Sequence, residues 1–166
     1  MLSCFKDDAD ILKFLQQRRA SFKPVSNEPK PAGVAPDYSF ARVISVGLAL
    51  VELGDKDALD RIQQVFARHD KDKLDYLLGH LKFVENKTVL RECVELLKDK
   101  QRLYTMPDPP PGSDYMVSNK RICDLVAESL CHKAGWRVNI FTWELLPDED
   151  LEKVRKSFTD QFALAP

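Results

Sequence analysis

Glycine is scarce in this chain, six in 166 residues, and the few present form neither Gly-x-Gly-x-x-Gly nor Gly-Lys-Ser/Thr. The common phosphate-cradling loops are therefore excluded. Cysteine is sparser still. Cys4, Cys93, Cys123 and Cys131 stand far apart with no Cys-x-x-Cys pair, which excludes a zinc site by spacing and a disulfide framework. Cys93, Cys123 and Cys131 fall among apolar helical positions, where a reduced thiol acts as a small hydrophobe. No apolar run approaches the ~20 residues that cross a bilayer. The start, Met1-Leu2-Ser3-Cys4-Phe5-Lys6-Asp7-Asp8, lacks the cationic stretch and apolar run of a signal peptide. An excess of charge is missing too, with 25 basic and 26 acidic side chains and a net charge of −1. Neither nucleic acid nor an anionic membrane would be drawn to such a surface. These absences describe a soluble, cytoplasmic protein.

Alternation of strand period is also lacking, apart from one short extended candidate at 138–143. What is present is helical. A first helix is expected over about 3–20, capped by Ser3, with Phe5, Ile11, Leu12 and Leu15 as its stripe. Pro24, Pro29, Pro31 and Pro36 then forbid regular structure, so 21–37 reads as a linker. Over 38–53, Phe40, Ile44, Gly47 and Val51 form one stripe and Val43, Val46, Leu50 and Leu53 a second. Two stripes bury most of a helix, and Gly47 between them implies close approach of a neighbour. Gly54 ends that helix and Asp57 is placed to cap the next, 58–68, with Leu59, Ile62, Val65 and Phe66 inward.

Asp72 is positioned to cap a helix over 73–84, with Leu74, Leu77, Leu78, Leu81 and Val84 inside. Asn86 or Lys87 precedes 88–98, with Val89, Leu90, Cys93, Leu96 and Leu97 inside. A last pair covers about 119–134 and 147–162, using Ile122, Leu125, Val126 and Leu130 against Leu151, Val154, Phe158 and Phe162. Short connections make each pair an antiparallel hairpin. The expected architecture is all-α: three stacked hairpins over 38–166, an N-terminal helix, and a proline-rich loop inserted at 99–118.

Two segments resemble the HEAT-repeat-like α-α superhelix found in many uncharacterised bacterial proteins. Leu48-Ala49-Leu50-Val51-Glu52-Leu53-Gly54-Asp55 resembles the end of a first repeat helix and its turn. Asn119-Lys120-Arg121-Ile122-Cys123-Asp124-Leu125-Val126-Ala127-Glu128-Ser129-Leu130, running to Gly135, resembles the Arg-Val-Cys-Asp-Leu-Ala helix of bacterial members. The likeness spans about 38–135, though the proline loop breaks the repeat period. It implies a binding surface or adaptor. Some relatives are bilin lyases, but no residue here matches a lyase active site.

Two constellations carry the functional expectations. Asp124, Glu128 and His132 recur every four residues on one helix, drifting about 40° per step. They form a ridge able to bind a transition metal or do acid–base work if a second element adds ligands. Set against this, the ridge reads as a helix face whose charges pair with Arg121, Lys133 and a neighbouring helix, and Asp124, between apolar neighbours, as half of a structural ion pair. Cys131 and His132 point about 100° apart, which disfavours a thiol–imidazole pair. The proline loop is the stronger candidate. Tyr104, Met106, Tyr115 and Met116 flank Pro107, Pro109, Pro110 and Pro111, and Arg121 opens the following helix. Tyr, Met and Arg are favoured interface anchors, and a proline-stiffened loop loses less entropy on binding. Trp136 and Trp143 read as caps over the open end of the last repeat. The expectation is a non-enzymatic protein–protein interaction module, adaptor or immunity-like, with an unidentified protein partner and no cofactor.

Overall fold

The computed structural model describes residues 9–21, 39–102, 120–136 and 145–164. Within them lie seven α-helices and no strand: α1 Ala9–Ser21, α2 Ser39–Glu52, α3 Lys56–Arg68, α4 Lys71–Gly79, α5 Lys87–Glu95, α6 Ile122–Ala134 and α7 Asp148–Gln161. Two 3-10 turns, Leu81–Phe83 and Leu96–Lys98, complete the elements. The protein is all-α over these residues. None of these helices is long and apolar enough to cross a membrane. The chain divides into two compact units, Met1–Leu77 and Leu78–Pro166.

In the first unit α2 packs against both α1 and α3. Ile44, Leu48, Leu50 and Val51 of α2 meet Ala58, Ile62 and Phe66 of α3 in the core, which Leu74 and Leu77 complete. The turn between α2 and α3 has a specific grammar. Gly54 takes φ 86°, its N–H bonds the Val51 carbonyl at 3.0 Å, and the Asp55 N–H bonds Leu50 O at 3.0 Å. Two carbonyls left over at the end of α2 are thereby satisfied. The Asp55 side chain then accepts from the Ala58 N–H at 2.9 Å and caps α3. Asp57, expected to be the cap, instead sits in the first turn, where its charge suits the positive helix end. Gln16 of α1 donates to the other Asp55 oxygen at 3.0 Å, so α1 is docked on the same turn. Ser3 and Phe5 lie outside the described residues. Gly47 is a milder feature than its position between two stripes implied. A Cβ there would meet Ile62 Cδ1 at 3.5 Å, ordinary contact with a side chain rather than a close backbone approach.

The expected 73–84 helix is interrupted: α4 ends at Gly79, and Leu81–Phe83 continues as a 3-10 turn. Gly79 is a weak helix former near an end, and the tighter turn still buries Leu81 and Val84 on the intended face. Asp70, not Asp72, stands at the start of α4. Its carbonyl accepts from Leu74 N at 2.7 Å and its side chain from Lys73 N at 3.4 Å. Likewise 88–98 resolves into α5 plus the 3-10 turn Leu96–Lys98, with Asn86 accepting from Thr88 N at 3.0 Å and Val89 N at 3.2 Å.

The second unit is organised around α6. Ile122, Cys123, Val126, Ala127, Leu130 and Cys131 are all buried, enclosed by α5, α7 and the two 3-10 turns. Phe158 of α7 is fully buried, stacked on Phe162 at 4.3 Å and edge-on to Trp136 at 6.3 Å. Trp136 thus packs against the core at Phe158. Trp143 lies outside the described residues.

Candidate functional site

Tyr104, Met106, Tyr115 and Met116 lie outside the described residues. What the structure shows is how the chain on either side of them is held. Arg102 and Arg121 form an isolated antiparallel bridge. Ile122 N–H donates to Gln101 O at 2.9 Å, and Cys123 N–H to Asp99 O at 2.9 Å. The first N–H groups of a helix have no partner within it. Here residues 99–101 supply them with backbone carbonyls, so this stretch of chain lies against the start of α6.

Arg121 stands at the N-cap of α6, a position that favours side-chain acceptors. Arginine has none. The cap is therefore made in the opposite sense, from inside the helix. Asp124 Oδ2 accepts from the Arg121 backbone N–H at 3.0 Å and from Arg121 Nε at 3.0 Å. Asp124 Oδ1 accepts from Arg121 Nη2 at 2.8 Å and from Leu146 N–H at 3.1 Å. The same Nη2 donates to Leu146 O at 2.7 Å. Asp124 is 0% exposed, the one buried charged residue among those described. Burial by itself would raise its pKa. The Arg121 guanidinium, together with backbone N–H groups of Arg121 and Leu146, overcomes that effect and holds the carboxyl below its usual value. One ion pair thus ties the loop's exit, the start of α6 and the residues before α7. The guanidinium named from sequence as a partner contact is turned inward onto this carboxylate.

The other ridge residues are arranged differently. Glu128 pairs with Lys120, whereas His132 is exposed. Among the described residues, no three or more His, Cys, Asp or Glu are grouped so as to hold a metal ion. Among the described residues the thiols offer no nucleophile either. Cys93, Cys123 and Cys131 are all buried and unpaired. Burial pushes the Cys131 thiol up to about 11, with Glu128 adding to the shift. It raises Cys93 further and Cys123 as well, so all three stay protonated near neutrality.

Sequence reasoning passed over one surface in the first unit. A groove of about 200 Å³ runs between α2 and α3. Phe40, Val43, Ile44, Gly47, Ile62 and Val65 form its apolar walls, while Arg61, Gln64 and Arg68 stand along one side. Gly47 opens it, because the missing side chain would have occupied the space beside Ile62. The signal that could have found it is the spacing of Arg61, Gln64, Val65 and Arg68. Positions i, i+3, i+4 and i+7 put them on one helix face beside the glycine of α2.

No family model, curated protein or solved structure matches the chain.

Proposed function

We propose that the protein is a non-enzymatic protein–protein interaction module, of adaptor or immunity type, that engages its partner through the proline-rich loop at 99–118. The observation that supports this is the clamped base of that loop. Backbone bonds from Ile122 and Cys123 to Gln101 and Asp99 hold its feet together at α6, and the buried Arg121–Asp124 ion pair fixes the foot on the helix side. Loop closure is one of the entropic costs of presenting a binding segment, and here the fold meets it before any partner arrives. The clamped segment carries Tyr104, Met106, Tyr115 and Met116, side chains favoured as interface anchors. Arg121, paired with Asp124, fixes the start of the helix that follows the loop.

The arrangement we infer for the scaffold is a short HEAT-like α-α superhelix of three hairpins. Support comes from α2 packing on α3 and α6 on α7, each a sequence-adjacent pair. Such arrays present surfaces rather than enclose chemistry. A cytoplasmic location fits three buried, unpaired thiols.

The test is capture of a partner by the tagged full chain from lysate of its source organism. One dominant, salt-resistant protein is expected, lost on Tyr104→Ala with Tyr115→Ala while the melting transition stays in place. Equal capture by the double variant would overturn the loop assignment. A toxin-like reading frame beside the gene would favour the immunity form.

A further inference from the structure

The groove on the first unit has a shape and a charge that the loop proposal leaves unused. We propose that it binds an acidic peptide segment carrying one large apolar anchor. Three observations fix that choice. The first is size. The groove holds about 200 Å³, and a dry apolar cavity of ~150 Å³ already accepts benzene. One leucine or aromatic side chain therefore fills it, and a long acyl chain does not fit.

The second is charge. Asp70 and Lys73 at the groove's end are joined in an ion pair and cancel. Arg61 and Arg68 are exposed and have no carboxylate partner among the described residues. The rim is left with two positive charges on a chain whose overall charge is −1. The third is spacing. Seven residues of helix set Arg61 and Arg68 about 10.5 Å apart along the axis. A peptide in the polyproline II conformation covers most of that distance in three residues, at about 3.1 Å each, and its three-residue turn brings i and i+3 to one face. The matching ligand has carboxylates at i and i+3 with the anchor between them, and Gln64, midway along the rim, can hydrogen-bond its backbone. Guanidinium forks recognise carboxylates in a defined geometry, so the pair sets register as well as affinity.

The groove belongs to a different unit from the clamped loop, so either proposal can fail without the other. The test uses a phage-displayed library of random twelve-residue peptides, selected on the full-length protein. The expected result is enrichment of sequences with acid–x–x–acid spacing around a Leu, Phe or Trp. Enriched peptides, resynthesised, should bind Arg61→Glu/Arg68→Glu at least about tenfold more weakly, since two attractions become repulsions. They should keep most of their affinity for Arg61→Lys/Arg68→Lys and lose it as salt rises. Both arginines are exposed, and equal melting transitions will show that the variants fold. Enrichment of neutral or basic peptides, equal binding to the charge-reversed variant, or no enrichment would each overturn the proposal. So would a concentration-dependent dimer of the protein that disappears in Arg61→Glu/Arg68→Glu, because the groove would then hold a second copy.

Discussion

Asp124 is the residue on which the second unit depends most visibly, and its chemistry sets a direction for pH. Its folded pKa is depressed, with burial opposing and the Arg121 guanidinium and backbone donors prevailing. A depressed carboxyl stabilises the fold above its unfolded pKa, about 3.9, and that contribution fades as pH falls through the lower folded value. Arg121→Met removes the partner and leaves a buried carboxylate without compensation. The expected cost at pH 7 is about 3–5 kcal/mol, the usual penalty for breaking a buried pair from one side. The sign of the pH dependence should then reverse. An unpaired buried carboxyl prefers its proton, so the variant should gain stability on acidification from pH 7 to pH 5. Chemical denaturation at the two pH values measures both effects, and a variant with wild-type slope would show that Arg121 is not the compensating charge. The sequence offered both members of this pair, with Arg121 and Lys133 as the nearby cations. An aspartate between Ile122, Cys123 and Leu125 had to find a partner. That Arg121 fills this role from the N-cap was hidden, because arginine is not a capping residue and the site also draws on Leu146, 22 residues beyond the carboxylate.

At the scale of elements, one device ends three helices. Gly54 closes α2, Gly135 closes α6 and Ala163 closes α7, with φ of 86°, 72° and 49°. In each, the next residue reaches back five positions. Asp55 N bonds Leu50 O at 3.0 Å, Trp136 N bonds Cys131 O at 3.0 Å, and Leu164 N bonds Thr159 O at 2.9 Å. The two glycine endings were legible, since glycine meets no steric penalty at positive φ. The third was not, because alanine does not announce a left-handed turn. Its neighbour Leu164 imposes it, being 4% exposed, with a carbonyl that accepts from Arg91 Nε at 3.3 Å. Burial of one leucine outweighs the ~1–2 kcal/mol that the left-handed conformation costs a residue with a Cβ. Ala163→Gly should relieve that cost and stabilise the protein by about 1 kcal/mol, read as a higher denaturant midpoint with unchanged slope. A lower midpoint would mean that the alanine methyl contributes more than its backbone strain removes. The interruptions after Gly79 and at Leu96 were missed for a related reason. Buried leucine spacing is satisfied by an α-turn and by a 3-10 turn alike over so few residues.

For the whole molecule, the decision lies between a surface that binds and a site that reacts. The Asp124, Glu128 and His132 ridge was the feature from which a metal or acid–base function could be built. In the folded protein its members have different tasks. Asp124 is fully enclosed with Arg121, Glu128 answers Lys120, and His132 alone faces outward. A transition metal would have to displace two cations from their carboxylates and pull one of those carboxylates out of the core. Each displaced charge would then need a new partner, at a cost of several kcal/mol for the buried one. One exposed imidazole offers too little in return, because stable sites draw three or more protein ligands from more than one element. Protein purified without chelator, exposed to zinc and dialysed, should therefore retain well below one equivalent by elemental analysis. His132→Ala should change neither that content nor the melting transition. Stoichiometric zinc that disappears with His132 would reverse the assignment and make the α6 ridge the functional centre in place of the clamped loop.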